Sequence, residues 1–278
     1  MNQELTLAFI GGGNMANALA SGLIGKRCAA SKVHVIDTQK ATLQSWQDQG
    51  CTTHTHPDEQ LSSQRVWVLA VKPQHMKEVA QQCRPYLRPD TLVISIAAGI
   101  TSHTLGQWLG TAEQPWQRLV RCMPNTPALI GAGATGLLAG PAVDEQGKAV
   151  TEMLFKAVGQ FVWFENDDQL DAVTALSGSG PAYVFLFIEA LIQGGTQLGL
   201  SPQQARTLAL ATLSGATELA ALSPDTPATL RERVTSKGGT TAAALQVFEQ
   251  QGWVDTVRTA MQAAYVRAGQ LAADSAQQ

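Results

Sequence analysis

The sequence predicts an α/β domain with a doubly wound, mostly parallel sheet over residues 1–165, followed by an all-α domain over residues 166–278. In the first part, short runs rich in Val, Ile and Leu alternate with helical patterns. This alternation is typical of parallel strands that are joined by crossover helices and covered on both faces. After residue 165 strand signals nearly vanish, and Ala, Leu and Gln dominate long helical patterns.

The elements of the first part follow one another as strand–helix–strand units. We predict strands at Leu5–Ile10, Val33–Asp37, Arg65–Val71, Thr91–Ile96, Leu119–Cys122, Thr135–Ala139 and Gln160–Phe164. Between them we predict helices at Asn14–Lys26, Gln39–Gln49, His75–Arg84 and Asp144–Val158.

The second part divides into helices at its proline and glycine turns. Ser179-Gly180-Pro181 and Ser201-Pro202 each place a capping residue and a proline at the mouth of a helix. We predict that these helices end near Leu198 and Leu222, and that two more cover Thr241–Gln250 and Trp253–Ala273.

The composition is that of an ordinary globular protein, with 45% hydrophobic and 15% charged residues. The net charge of −3 and the lack of a Lys/Arg run argue against nucleic acid as a partner. The four cysteines are scattered and predict reduced thiols, and His54 and His56 lack a third ligand, so no metal is expected. The N-terminus lacks the basic start of a signal peptide, and Glu189 interrupts the most apolar later stretch. We therefore expect a cytoplasmic protein without a membrane partner.

The first strand–turn–helix carries a dinucleotide-binding pattern. Gly11-Gly12-Gly13-Asn14-Met15-Ala16 fits G-x-G-x-x-A, and a second strand follows that ends in Asp37. In this pattern the glycines allow a tight turn and close approach of a pyrophosphate, while the helix N-terminus supplies N–H groups. The pattern predicts a Rossmann domain that binds NADH or NADPH, with contacts from Ile10, Gly11, Gly12, Gly13, Asn14 and Met15.

Asp37 is the residue that decides between the two cofactors. A carboxylate at this position accepts hydrogen bonds from a ribose 2′-OH and repels a 2′-phosphate, which favours NADH. Thr38 and Lys40 would still hold the phosphate if Asp37 turned aside. Further cofactor contacts are expected from the segments that follow later strands: Ala70, Val71, Lys72, Pro73, Ala97, Ala98, Gly99 and Asn125. For Lys72, a surface lysine at a strand end is an equally good interpretation.

Three stretches combine glycine or proline with polar residues in a way that packing alone does not require. They are RCMPNTP from Arg121, ALSGSGP from Ala175 and VTSKGGTT from Val234. The first is a rigid, polar turn. The last predicts an anion nest, because its glycines free the backbone and the following helix start points N–H groups outward. Such a nest suits a carboxylate, and the alternative is simple N-capping of the helix by Thr240.

With these motifs the sequence resembles the pyrroline-5-carboxylate reductases from Leu7 to about Gln270. The matching stretches are FIGGGNMA, LAVKPQ, ISIAAG, RCMPNTPALIGAGATG, LSGSGPAYVFLFIEAL and VTSKGGTTAAAL. The resemblance implies hydride transfer to the C=N bond of 1-pyrroline-5-carboxylate, a small imino acid, giving L-proline in the last step of proline biosynthesis. It also implies NADPH as the preferred cofactor, a C-terminal dimerisation domain that interleaves two subunits, and in many members a ring of five dimers.

The resemblance also implies a substrate loop made of Ser236, Gly239, Thr240 and Thr241. Ser236 and the backbone amides would hold the substrate carboxylate, and the Thr241 hydroxyl would hydrogen-bond the ring nitrogen as the catalytic candidate. Lys237 stands where the family commonly has proline. Asp37 departs from the serine, threonine or arginine that often follows the second strand in this family.

Two other functions compete with this interpretation. The β-hydroxyacid dehydrogenases join similar domains but use a catalytic lysine on a helix, whereas Lys237, the only lysine after Lys156, lies in the glycine loop. A nucleotide-binding regulatory protein could have kept the fold and lost the reaction, but the intact glycines and hydroxyls of the loop count against this. Glu189 and Tyr183 are alternatives to Thr241, although a glutamate on an apolar helix is more often a structural partner.

Overall fold

The computed structural model describes residues 5–277 and confirms the expected sheet domain followed by helices. Eight strands form one sheet in the order β3-β2-β1-β4-β5-β6-β7-β8. They are β1 (Leu7–Ile10), β2 (Val33–Ile36), β3 (Thr52–His54), β4 (Val66–Leu69), β5 (Leu92–Ser95), β6 (Leu119–Met123), β7 (Gly133–Ala139) and β8 (Gly159–Phe164). The β6–β7 pair is antiparallel and the other pairs are parallel, so β7 and β8 run against the first six strands.

Six α-helices accompany the sheet: α1 (Asn14–Ser21), α2 (Lys40–Asp48), α3 (Pro73–Cys83), α4 (Ser102–Leu109), α5 (Glu145–Lys156) and α6 (Asp167–Val173). A π-helical turn at Thr174–Gly178 follows α6. The later helices are α7 (Gly180–Gln197), α8 (Pro202–Leu222), α9 (Pro227–Arg233), α10 (Thr240–Gln250) and α11 (Trp253–Ala276).

The central strands are buried on both faces. Leu7 and Phe9 of β1 belong to one apolar cluster, and Ala8 and Ile10 of the same strand belong to another. Successive side chains of a strand point to opposite faces, so the two clusters lie on the two sides of the sheet. This double coverage explains why these strands read as continuous apolar runs.

Several elements differ from the sequence prediction. The expected helix Asn14–Lys26 was wrong at its end, because α1 stops at Ser21 where Gly22 packs closely against Ala157. Four elements were not predicted: β3, α4, α6 and α9. β3 is three polar residues long, and the three helices are seven or eight residues long, too short for a clear period.

The chain forms two compact units. The described residues up to Ser179, together with those from Ala264 onward, form the first unit, and Gly180–Ala263 form the second. Helix α6 belongs to the first unit, where Leu170 and Val173 pack with Leu138 of β7. The domain boundary at residue 165 stays a prediction, because it was drawn from a change in sequence character.

Helix α7 in the second unit is apolar but largely exposed: Val184 is 50%, Phe185 is 58% and Leu186 is 67% exposed. By length and composition alone, the helical stretch Asp167–Gln197 would be sufficient to cross a membrane, and 6% of its most apolar window is buried. An interface helix that a second subunit covers has the same properties, since it too must expose apolar side chains in the isolated chain.

Candidate active site

A cleft of about 610 Å³ opens in the first unit at the carboxyl ends of β1, β2 and β4. β1 lies between β2 and β4 in the sheet, so the strand order reverses at this point. Open α/β sheets bind their ligands at such a reversal. Seven of the predicted cofactor residues line the cleft: Ile10, Gly11, Gly13, Asp37, Ala70, Val71 and Lys72.

The glycines of the first turn leave room that side chains would fill. Gly11 has a φ of +96°, and a Cβ there would lie 2.7 Å from the carbonyl carbon and oxygen of Ala70. A Cβ on Gly13 would meet nothing within 4 Å, so this residue borders open space. Gly13 is also the N-cap of α1, and no side chain caps that helix. The backbone N–H groups at Asn14 and Met15 therefore begin a helix whose N-terminus can accept a phosphate.

The Asp37 carboxylate is fixed by two backbone hydrogen bonds. Its Oδ2 accepts from the Gly12 N–H at 2.8 Å, and its Oδ1 accepts from the Gln39 N–H at 2.8 Å. Turning Asp37 aside to admit a 2′-phosphate would break both bonds. Each carboxylate oxygen keeps a second lone pair, so Asp37 can accept ribose hydroxyl groups without moving.

The segment after β4 enters α3 directly. Lys72 is the N-cap of this helix, its side chain is exposed, and Pro73 is the first helical residue. Lys72 therefore lies at the mouth of the cleft with its ammonium group free to reach an anion. Pro73 fits the first turn because its missing N–H has no helical partner there.

The segment after β5 and the predicted residue Asn125 lie outside the cleft-lining set. Ala97 is 4% exposed, and a Cβ on Gly99 would lie 2.9 Å from Cβ of Leu271, so α11 packs on this segment. Ala98 is half-buried. The Asn125 amide is used within the fold, since its Nδ2 donates to the Ser177 carbonyl at 3.0 Å and its Oδ1 accepts from the Ala134 N–H at 2.9 Å. Contacts of these residues with the cofactor stay predictions.

The cleft has further walls that sequence reasoning missed. The loop after β3 contributes Thr55, His56 and Pro57, and α3 contributes His75, Glu78, Val79 and Gln82. The loop could not be found because β3 itself was not predicted. The helix residues carry a usable signal, because their spacing of three, four and seven residues from His75 places them on one face.

Arg121 of the RCMPNTP stretch forms a buried ion-pair network. It is 2% exposed, and its Nη1 and Nη2 donate to Asp167 at 2.6 Å and Asp171 at 3.2 Å. Burial raises the pKa of Asp171, and the Arg121 guanidinium opposes that shift. The network ties β6 to α6, so Arg121 acts within the fold.

The predicted substrate loop lies in the second unit, between α9 and α10. Gly238 has a φ of +72°, and the Gly239 N–H donates to the Ser236 carbonyl at 3.0 Å. A Cβ on Gly239 would lie 2.5 Å from the Ser236 hydroxyl oxygen, so the hydroxyl lies directly over this glycine.

Helix α10 begins without a capping side chain. Its N-cap is Gly239, and Thr240 is the first helical residue, so N-capping by Thr240 was wrong. Ser236 and Thr240 are exposed and Thr241 is half-buried. The loop therefore combines free helix N–H groups with three hydroxyl groups, which is suited to an anionic substrate.

Two family models match the chain. One, described as "Pyrroline-5-carboxylate reductase dimerisation", matches residues 167–271, and one described as "NADP oxidoreductase coenzyme F420-dependent" matches residues 6–99. The first model covers the predicted substrate loop, and the second covers the glycine turn and Asp37.

Similar proteins match over nearly their whole length. The chain is 43% identical to a pyrroline-5-carboxylate reductase of Pseudomonas aeruginosa over 96% of both chains. A solved pyrroline-5-carboxylate reductase of Coxiella burnetii is 38% identical with a TM-score of 0.88, covering 97% of this chain and 99% of that one. A pyrroline carboxylate reductase of Plasmodium falciparum, solved with NADP bound, is 30% identical with a TM-score of 0.83, covering 96% of this chain and 98% of that one.

Proposed function

The chain belongs to the pyrroline-5-carboxylate reductase family, and we propose which of its residues perform the reaction of that family. The reaction is NAD(P)H-dependent hydride transfer to the C=N bond of 1-pyrroline-5-carboxylate, which gives L-proline. The observation that carries the assignment of residues is the uncapped start of α10, with the Ser236 hydroxyl lying beside its N-cap, Gly239.

The substrate carboxylate is held by this loop. The Ser236 hydroxyl and the backbone N–H groups at Thr240 and Thr241 donate to it, and the partial positive charge of the helix N-terminus stabilises it. The closeness of the Ser236 oxygen to Gly239 supports this role, since a side chain at residue 239 would displace the hydroxyl group.

Thr241 orients the imine nitrogen. It lies one residue into α10, and its hydroxyl can hydrogen-bond the ring nitrogen and relay its proton. An imine that is protonated from solution needs no strong general acid, which fits a loop of hydroxyl and amide groups. The reduced nicotinamide, when bound, supplies the hydride.

The nicotinamide cofactor binds in the cleft of the first unit, and NADH is favoured over NADPH. Two hydrogen bonds fix the Asp37 carboxylate at the end of β2, where it would repel a 2′-phosphate. The NADP-bound plasmodial relative supports the opposite preference. Initial rates with each cofactor distinguish the two.

The chain is a homo-oligomer through its dimerisation domain. A partner subunit would cover the exposed apolar side chains of α7, and a ring of five dimers is the proposed assembly. Light scattering after size exclusion measures the mass. Leu186→Asp should give monomers, because it places a charge in an apolar interface. A cytoplasmic location is supported by the four cysteines, which are buried thiols and not disulfides.

A spectrophotometric assay tests the activity. The protein should oxidise NADH or NADPH when 1-pyrroline-5-carboxylate is added. It should reduce NAD+ or NADP+ far more slowly when a β-hydroxyacid is supplied instead. A folded dimer that binds the dinucleotide but shows no turnover with the imino acid would favour the regulatory alternative.

A further inference from the structure

Side chains hold Gly12, the central residue of the glycine turn, from three directions. Its N–H donates to Asp37, as described above. Its carbonyl oxygen accepts from the indole Nε1 of Trp46 at 2.9 Å and from the Asn17 Nδ2 at 2.9 Å. Both backbone polar groups of Gly12 are therefore bonded within the protein, so its N–H is not available to bind phosphate.

The carbonyl of Gly12 and the N–H of Gly13 belong to one peptide plane. The chain contains no cis peptide among the described residues, so these two groups point in opposite directions. Trp46 and Asn17 draw the carbonyl inward, and the Gly13 N–H is thereby turned outward. Gly13 lines the cleft and borders open space, so this N–H faces the place where a diphosphate binds.

Trp46 is fixed firmly enough to set this orientation. Its side chain on α2 is fully buried, and its ring packs against Phe9 of β1 with 5.5 Å between centroids. A Cβ on Gly12 would lie 2.8 Å from the indole nitrogen, so the turn rests directly on the tryptophan. Rotation of the Gly12 carbonyl away from the indole would leave a buried N–H donor without a partner.

We propose that Trp46 is a positioning residue for cofactor binding: its hydrogen bond to the Gly12 carbonyl aims the Gly13 N–H at the cofactor diphosphate. Asn17 is a second donor to the same carbonyl and acts in the same way. The inference rests on the proposed function, since it requires a dinucleotide in the cleft. It predicts equal effects on NADH and NADPH, because both carry the same diphosphate.

Trp46→Phe tests this, with Trp67→Phe as the matched control. Trp67 is also fully buried, and its indole donates to the carbonyls of Leu61 and Gln64, but it belongs to the cluster on the other face of the sheet. Trp46→Phe should raise the Kd of NADH and of NADPH about fivefold, the effect of one hydrogen bond. The kcat at saturating cofactor and the KM of the imino acid should stay unchanged. Trp67→Phe should lower the melting temperature and leave both Kd values at the wild-type level.

Calorimetric titration supplies the Kd values separately from turnover. Equal Kd values for Trp46→Phe and Trp67→Phe overturn the inference, even if the wild type reduces the imino acid. Absence of turnover in a wild type that still binds the dinucleotide contradicts the proposed function instead. If Trp46→Phe does not fold, Asn17→Ala, at a half-buried position, replaces it as the test. This variant should raise the Kd of NADH and the Kd of NADPH by the same factor, which is smaller than that expected for Trp46→Phe. An unchanged Kd overturns the inference.

Discussion

Replacing Asp37 should reverse the cofactor preference. Two like unit charges 4 Å apart repel by about 4 kcal/mol at an effective dielectric constant near 20. Asp37 is half-buried, so solvent screens part of the repulsion between its carboxylate and a 2′-phosphate. We expect that removing this repulsion in Asp37→Ser makes the binding free energy of NADPH more favourable by about 1–2 kcal/mol. NADH loses a charged hydrogen bond to its ribose, about 1.5–3 kcal/mol.

The substitution also weakens the binding of both cofactors, because it removes the hydrogen bond that holds the Gly12 N–H. Serine cannot reach both backbone N–H groups that Asp37 binds. We therefore expect kcat/KM for NADH to fall about a hundredfold, while the NADPH value changes only a few-fold. The ratio of kcat/KM for NADPH to that for NADH should rise by roughly two orders of magnitude.

Initial rates at saturating imino acid give the two kcat/KM values. Asp37→Asn removes the charge and keeps the shape, but it retains only one of the two backbone hydrogen bonds, because its amide nitrogen cannot accept the other. Asp48→Ser is the control: this exposed carboxylate at the end of α2 accepts a hydrogen bond from Gln44 and lies outside the cleft-lining set. If Asp37→Ser leaves the cofactor ratio within about twofold of the wild type, less than 0.5 kcal/mol, the carboxylate does not select the cofactor.

Three further predictions concern the substrate loop, the buried ion pairs and acid stability. Thr241→Ala should lower kcat about tenfold to a hundredfold, because it removes a proton relay. Thr241→Ser should keep most of the wild-type kcat. Equal kinetics for the alanine variant and the wild type would remove Thr241 from the mechanism. Arg121→Met should lower the free energy of unfolding, measured in urea, by about 3 kcal/mol, because Asp171 is left buried and unpaired. Adding Asp171→Leu should recover over half of this loss. A double variant as unstable as Arg121→Met contradicts this reasoning. Burial lowers the pKa of His34 below 6.5, with Asp58 opposing the shift. The unfolded chain therefore takes up that proton first, and stability should be full above about pH 6.5 and decline as the pH falls further. Melting curves of the wild type and His34→Gln between pH 8 and pH 5 measure this, and parallel losses in the two proteins would exclude His34 as the cause.

The sequence predicted the sheet and the long helices well because their patterns are local. β1 and β4 are continuous apolar runs, and β2 and β5 are apolar at all but one position each. The proline and serine residues that open α7 and α8 lie where helices begin. Short elements such as β3 and α9 are stabilised by their neighbours in space, and a three-residue strand has no period to detect. The end of α1 depends on the contact between Gly22 and Ala157, which are far apart in the chain.

The candidate site shows the same limit. The glycine pattern and Asp37 could be read because their spacing is fixed by a strand–turn–helix unit. Both polar ends of the Asn125 amide bond the protein itself, so the predicted contact of this residue with the cofactor stays a prediction. Leu271 lies beside Gly99, which accounts for a small residue there within the fold, and the predicted contact of Gly99 with the cofactor is untested. A polar or small residue in a motif can thus serve the fold or the ligand, and only the partner in space distinguishes them.

Asp37 links the proposed choice of cofactor to the shape of the glycine turn. The carboxylate that would select the ribose also holds the N–H of Gly12, while Trp46 and Asn17 hold its carbonyl. The two peptide planes that meet at Gly12 are therefore fixed by different side chains. A change at Asp37 loosens the plane before Gly12 but leaves the plane after it, which carries the Gly13 N–H, in its binding orientation. This division predicts that the residue after β2 can be replaced without loss of the diphosphate site.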